Sequence, residues 1–203
     1  GFITADKKDS QGLCFIGKVK LPVFLQQQLK PKEGHILEVK NEHATFIYPD
    51  NELKTLVKPF LLEPQIGKVV GAHQGAHYFT VGQRKGLQVG GTPEALFVIG
   101  VDTSKNIVYT GQGKNHKGLY RKGLFVKNEE IHWVRPDLTM TIGDTRTYRG
   151  RIRYRQELQE LILHKKKDGL FIIFTEIQRG ITPGQFVAWY DNNELLGSGV
   201  IDA

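Results

Sequence analysis

The chain has 203 residues, of which 39% are hydrophobic and 24% charged, and this balance is ordinary for a globular protein. Its 28 Lys and Arg residues exceed its 21 acidic residues, so the net charge is +7 and the isoelectric point is near 9.4. No apolar run approaches the roughly 18 residues of a transmembrane helix and no secretory signal pattern is present, so we expect no membrane partner. The positive charge fits a polyanionic partner as well as a basic surface without a ligand.

Cys14 is the single cysteine of the chain, so it can neither form an internal disulfide nor supply the several thiolates of a structural zinc site. It is therefore either a small buried residue or a reactive thiol. Phe15 and Ile16 favour burial, whereas Gly12, Gly17 and the lysines nearby favour an accessible thiolate. A single reduced cysteine also fits a cytoplasmic protein, and we predict that location.

Residues 18–112 are predicted to form a small β-rich central domain with one short helix. The helix is expected at 21–29, where apolar residues recur with helical spacing before Pro31 ends it. From Gly34 onward the hydrophobic period changes to two, which is typical of strands. The predicted strands of this domain are 35–39, 44–48, 67–71, 77–81, 96–101 and 106–110.

We place a domain boundary in the polar, glycine-rich stretch 111–118. A phosphate-binding loop is rejected there, because Leu119 and Tyr120 follow its last glycine where a Lys and a Ser or Thr are required. Residues 118–203 show short, regularly spaced strands with hairpin turns, which predicts a C-terminal antiparallel β-barrel and a mainly β chain. The predicted barrel strands are 119–126, 148–155, 158–164, 170–174, 185–190 and 195–201.

A cluster of arginines is the strongest electrostatic feature of the sequence. Its members are Arg146, Arg149, Arg151, Arg153 and Arg155. In a strand, the four odd-numbered side chains would lie on one face and repel one another unless an anion lies among them. Tyr148 and Tyr154 have the opposite parity, and tyrosine rings stack on unpaired bases. A charged edge strand is the alternative, but that role usually falls to Lys, so we favour phosphate binding.

His73 and His77 have the spacing of a helical metal-binding pair. Gly75 lies between them and the flanking residues have a strand pattern, so a helix is not expected there. No carboxylate or Cys nearby completes a ligand set, and we assign no metal site.

Three stretches of the sequence resemble the tRNA-specific 2-thiouridylases, which place sulfur on the wobble uridine of certain tRNAs. Residues 7–17 read Lys-Lys-Asp-Ser-Gln-Gly-Leu-Cys-Phe-Ile-Gly, and 80–87 read Thr-Val-Gly-Gln-Arg-Lys-Gly-Leu. The third stretch begins with Arg-Tyr-Arg-Gln at 153–156 and ends with Thr-Pro-Gly-Gln at 182–185. The stretches occur in the family's order and cover nearly the whole chain, so the resemblance is specific.

The resemblance implies roles for four residues. Cys14 corresponds to the cysteine that carries the persulfide sulfur, and Arg153, Tyr154 and Gln185 correspond to residues that contact tRNA. It also implies that the full enzyme uses ATP and Mg²⁺ to adenylate the uridine O2, after which sulfur displaces AMP. The nucleotide loop and a first cysteine, which forms a transient disulfide with the second, belong to a preceding domain, and we expect 1–17 to be a linker from it.

We therefore predict that the chain is the central and C-terminal part of a tRNA 2-thiouridylase, with no cofactor of its own and no activity alone. Its expected partners are tRNA, a sulfur-donor protein that delivers the persulfide, and the N-terminal ATP-binding domain. The basic turn 83–86 is expected to contact tRNA or that domain. The alternative hypothesis is a non-catalytic RNA-binding β-barrel module in which Cys14 is structural.

Overall fold

The computed structural model describes residues 30–202, in which two β-sheets contain most of the regular structure. The predicted linker 1–17 with Cys14 and the predicted helix 21–29 lie outside the described residues. Among residues 30–202, no helix is both long enough and apolar enough to span a membrane.

A four-stranded sheet occupies the first half of the described chain. Its strands are β1 (Gly34–Glu38), β2 (Lys68–His73), β3 (Leu96–Asp102) and β4 (Ile107–Gln112). Their order across the sheet is β2-β1-β4-β3, with β1 parallel to β4 and the outer pairs antiparallel. The central strand β4 is buried on both faces, because Tyr109 packs in one apolar cluster and Val108 in another.

A seven-stranded antiparallel sheet follows and curls into a half-barrel. Its strands are β5 (Tyr120–Lys127), β6 (Ile131–Trp133), β7 (Thr145–Arg151), β8 (Gln159–Lys165), β9 (Gly169–Arg179), β10 (Phe186–Asp191) and β11 (Glu194–Val200). Their order is β5-β9-β8-β7-β10-β11-β6. The inward-pointing side chains form the largest core cluster, which includes Leu161, Ile172 and Trp189. The mainly β fold class predicted from the sequence is thereby confirmed.

The two sheets are in contact. The short helix α1 (Leu53–Val57), which belongs to the connection between β1 and β2, packs Val57 against Phe171 and Ile173 of β9. At the end of β9, the Arg179 guanidinium carbon lies 5.3 Å from the ring centroid of Phe97 in β3. The predicted domain limits, 18–112 and 118–203, remain a prediction.

The strand predicted at 44–48 is wrong. A 3₁₀ turn spans Ala44–Phe46 instead, and it begins where the His43 side chain accepts a hydrogen bond from the Thr45 backbone N–H. Side chains that bond to nearby backbone groups compete with strand pairing in this way. The apolar residue Phe46, which suggested a strand, is buried in the core cluster of the four-stranded sheet.

The strand predicted at 77–81 is wrong for a similar reason. A 3₁₀ turn spans Ala76–Tyr78, and it follows Gly75, whose φ is +145°. The Gly75 N–H donates to Nδ1 of the buried His73, and the next N–H donates to the Asn106 side chain. These side-chain acceptors fix the backbone as it enters residues 76–78, which favours the 3₁₀ turn over a strand that begins at His77.

The strand predicted at 148–155 is displaced. The observed strand β7 ends at Arg151, because Ile152 turns into the core and its N–H donates to the Gln156 side chain. The expectation that four arginines share one strand face is therefore wrong. The short strand β6 was not predicted, and its three residues leave too little sequence for a period to show.

Candidate nucleic-acid interface

The three residues predicted to contact tRNA lie together. Arg153, Tyr154 and Gln185 all line one open groove of about 610 Å³. We call it the arginine–aromatic groove and define it by Arg151, Arg153, Tyr154, Gln185, Phe186, Ala188 and Tyr190. Its residues come from β10, from the end of β7 and from the loops that follow β7 and precede β10.

Strand β10 provides one wall of the groove by simple alternation. Val187 and Trp189 are fully buried in the half-barrel core, so Phe186, Ala188 and Tyr190 face outward. The small Ala188 is in register with Arg151 of β7 and leaves space between the two aromatic residues. Phe186 is 63% exposed, which is high for a large apolar residue and places an aromatic surface at the groove.

Arg151 lies between two tyrosine rings. Its guanidinium carbon is 5.1 Å from the ring centroid of Tyr190 and 5.6 Å from that of Tyr154, and Nη2 donates to the Tyr190 hydroxyl at 3.2 Å. Cation–π contacts of this kind position both the charge and the rings. Tyr154 remains 56% exposed, so its ring is accessible from solvent.

Arg153 is held by the backbone that follows β9. Its Nη2 donates to the Gly180 carbonyl oxygen at 3.3 Å. The turn that carries it is braced by a series of amides, in which Gln156 Nε2 donates to Oε1 of the buried Gln178 at 2.6 Å and Gln178 Nε2 donates to the Glu176 carbonyl. These hydrogen bonds give the turn at residues 152–156, which carries Arg153 and Tyr154, a defined shape.

The arginines of the cluster differ in what they can bind. Arg146 is engaged by Asp144 at 3.3 Å and donates to the Leu138 carbonyl at 2.6 Å, so its charge is already neutralised. By contrast, Arg151 and Arg153 form no ion pair with any acid in the part of the chain that the structure describes. Two uncompensated guanidinium groups at one groove favour a phosphate ligand.

Gln185 contributes a polar group of a different kind. Its side-chain Oε1 is buried and has no hydrogen-bond partner among the described residues. A buried acceptor without a partner loses free energy that a donor on a ligand would restore. Ribose hydroxyls and base amino groups are such donors, whereas phosphate oxygens are not.

Sequence reasoning missed several parts of this groove. The strict alternation of the outward Phe186 and Tyr190 with buried residues was a usable signal for the aromatic wall. The contact between Arg153 and Gly180 joins residues 27 positions apart, and no local pattern predicts it.

The basic turn 83–86 lies outside the lining of the groove. It is closed by the Gln83 side chain, which accepts from Thr80 N–H at 3.1 Å and donates to the Lys85 carbonyl at 2.8 Å. Arg84 and Lys85 are exposed on it. His73 is buried, and its Nδ1 accepts the Gly75 N–H at 2.9 Å, which is a structural role.

Comparison with known proteins agrees with the resemblance of the motifs. Residues 58–112 match the family model described as the tRNA methyl transferase PRC-barrel domain, and residues 122–201 match the aminomethyltransferase beta-barrel domain. The tRNA-specific 2-thiouridylase of Christiangramia forsetii is 57% identical to the chain over 206 residues, which cover 98% of this chain and 52% of that protein.

The chain is similar over nearly its whole length to tRNA-specific 2-thiouridylases. Other members of the family extend the comparison: the protein of Flavobacterium johnsoniae is 55% identical over 98% of this chain and 52% of its own length. The protein of Pseudomonas aeruginosa strain LESB58 is 36% identical over 100% of this chain and 47% of its own length. The chain thus spans about half the length of the curated 2-thiouridylases that it matches.

Proposed function

We propose that the chain acts in the thiolation of tRNA, as the part of a 2-thiouridylase that holds the tRNA and supplies the sulfur-carrying cysteine. The observation that carries the proposal is the arginine–aromatic groove. It combines two arginines that form no ion pair among the described residues, two exposed aromatic residues, and the buried Gln185 Oε1, which has no hydrogen-bond partner there. Arg151 and Arg153 are suited to the phosphates, Tyr154 and Phe186 to the faces of unstacked bases, and Gln185 to a ribose hydroxyl or base amino group.

The glycine-rich stretch 111–118 is a poor match for the phosphates of ATP. It forms no phosphate cradle, because a Cβ at Gly113 would meet the Glu94 carboxylate, and Glu38 and Glu42 line the same surface. Among residues 30–202 no three His, Asp or Glu side chains are grouped to hold a metal ion. We therefore expect ATP and Mg²⁺ to activate the uridine in the remaining part of the full-length enzyme, and this chain alone to be inactive.

Cys14 is proposed as the sulfur carrier of the full-length enzyme. A sulfur-donor protein would load it as a persulfide, whose terminal sulfur attacks C2 of the activated uridine while the C2–O2 bond breaks. A second thiolate then attacks the Cys14 sulfur, so that the S–S bond to the transferred atom breaks and a protein disulfide forms. Activity on tRNA fits the predicted cytoplasmic location, which also remains a prediction.

Binding of tRNA by the full-length protein tests the groove. Arg153→Ala is expected to weaken binding by about 1–3 kcal/mol, because a charge-assisted contact to phosphate is lost. The slope of log affinity against log salt concentration should become shallower by roughly one unit. Tyr154→Ala should cost a similar amount without changing the salt slope, and Tyr154→Phe should retain binding, since stacking needs only the ring.

Arg146→Ala is the matched control for this experiment. Arg146 belongs to the same cluster but is bound to Asp144 and Leu138, so its removal should leave the affinity and the salt slope unchanged. Circular dichroism establishes that each variant is folded. The groove is not the tRNA site if folded Arg153→Ala and Tyr154→Ala proteins bind tRNA like the wild type at every salt concentration.

Cys14→Ser tests the sulfur transfer separately. In the full-length enzyme this change should abolish thiolation, measured as 2-thiouridine formed in tRNA, because a hydroxyl cannot hold a persulfide. Affinity for tRNA should stay near the wild-type value, since Ser is similar in size. Retained thiolation would instead support a structural Cys14 in a non-catalytic RNA-binding module.

A further inference from the structure

A cavity of about 400 Å³ lies between the two sheets. The four-stranded sheet contributes Ile99 and Tyr109, the connection before β2 contributes Leu62, and the other sheet and its loops contribute Arg121 and Ile181. Most of the wall is apolar, and the volume is in the range of about 300–1,000 Å³ that small-molecule sites occupy. The cavity shares no lining residue with the arginine–aromatic groove.

Arg121 is an unusual residue in the wall of this cavity. It is only 7% exposed, its Nη2 donates to the Val57 carbonyl, and its Nε has no partner among the described residues. Burial lowers the pKa of the guanidinium to about 10, so the group is still charged at neutral pH. No acid within residues 30–202 forms an ion pair with it.

A buried cation without a counter-ion is costly. Removing an ion from water costs several kcal/mol, and only a facing charge or a set of hydrogen bonds offsets that penalty. Asp102 also lines the cavity, but its carboxylate accepts from the Ser104 hydroxyl at 2.6 Å and from the Lys105 N–H at 2.9 Å, and lies 3.7 Å from the Lys105 ammonium. The missing counter-charge of Arg121 is therefore best supplied by a ligand.

A second buried donor without a partner belongs to a residue that lines the same cavity. Tyr109 is 1% exposed, lines the cavity, and its hydroxyl has no partner in the described part of the chain. Two buried polar groups without partners in one largely apolar cavity are the pattern of a small-molecule site, where a few polar atoms orient an apolar ligand.

We propose that this cavity binds a small organic anion, whose anionic group pairs with Arg121 and whose apolar body packs against Leu62, Ile99 and Ile181. Tyr109 donates to a polar atom of the same ligand. The residues that line this site differ from those that line the arginine–aromatic groove, so the proposal can fail or hold independently of the proposed tRNA site.

A matched pair of probes tests the proposal by isothermal titration calorimetry on the purified chain. The probes are 4-phenylbutyrate and 4-phenyl-1-butanol, which share the apolar body and differ in the anionic group. We expect the acid to bind with one-to-one stoichiometry and about tenfold more tightly than the alcohol. Arg121→Met should remove that preference, whereas Arg149→Met, which removes an exposed arginine outside the cavity, should keep it.

Direct observation of Arg121 covers the case in which Arg121→Met does not fold. Addition of 4-phenylbutyrate to the wild-type protein should shift the Arg121 Nε–H resonance in a ¹⁵N-correlated spectrum, and addition of the alcohol should not. Equal affinity for acid and alcohol, absence of binding, or an unmoved resonance would overturn the proposal. Inorganic phosphate is the third probe, and binding as tight as that of the acid would overturn the role of the apolar wall.

Discussion

Gly180 is a single residue on which the geometry of the arginine–aromatic groove depends. Its φ is +73°, a conformation that costs other residues roughly 1–2 kcal/mol, and an added Cβ would collide with the Arg153 guanidinium. Gly180→Ala is therefore expected to lower the free energy of unfolding by about 1–2 kcal/mol. It should also weaken tRNA binding, because Arg153 must leave its position. Urea denaturation and tRNA titration measure the two effects.

Gly143→Ala separates the two effects of Gly180→Ala. Gly143 also has a positive φ, at +103°, but no atom lies within 4 Å of the position that its Cβ would take. The control should therefore lose stability and keep its affinity for tRNA. If Gly180→Ala binds tRNA as tightly as Gly143→Ala does, the position of Arg153 does not matter for binding.

At the scale of elements, strand β7 and the turn after it show what an alternating pattern can and cannot predict. The outward position of Arg149 and Arg151 follows from period two and is confirmed for these two residues. The strand ends at Arg151 because Ile152 is drawn into the core and the Gln156 side chain accepts its N–H. The burial of Ile152 is a tertiary effect, and the local hydrogen bond to Gln156 leaves no periodic signal, so the sequence pattern extended the strand through Arg153.

At the scale of the whole molecule, buried neutral histidines make stability depend on pH. His116 is 2% exposed, its Nδ1 accepts from Gly118 N–H and its Nε2 donates to the Val39 carbonyl, which fixes the neutral tautomer. Burial lowers the pKa of His116, and also that of His73, below the ordinary value of 6.5. The unfolded chain therefore binds protons that the folded chain does not as the pH falls through 6.5.

The free energy of unfolding should consequently be constant above about pH 7.5 and decrease between about pH 7 and pH 5.5. Urea denaturation across this range measures it. His116→Gln should make the decrease shallower, while the same change at the exposed His132 should not. Asp102 cannot account for a loss of stability between about pH 7 and pH 5.5. Hydrogen bonds from Lys105 and Ser104 lower the pKa of its carboxyl below 3.8, so this group titrates outside that range. A stability that does not change from pH 7.5 to pH 5.5 would contradict this account.

Periodicity and turn residues were enough to predict the mainly β class and most strands of the half-barrel, because hairpins place sequence neighbours side by side. Motif resemblance singled out Arg153, Tyr154 and Gln185, and the structure places all three at one groove, while their contact with tRNA stays a prediction. Neither periodicity nor motif resemblance could reveal Gly180 or Arg121, because the roles of both residues depend on partners that are distant in sequence. Their contacts, to Arg153 and to Val57, cross 27 and 64 positions of the chain.

The segment 180–185 separates the cavity from the groove. Ile181 and Pro183 line the cavity, whereas Gly184 and Gln185 line the groove and the Gly180 carbonyl holds Arg153. If an anion in the cavity shifts this segment, it changes the affinity of the groove for RNA, and RNA must change the affinity for the anion by the same factor. One short length of backbone would then couple occupancy of the cavity to the proposed binding of RNA in the groove.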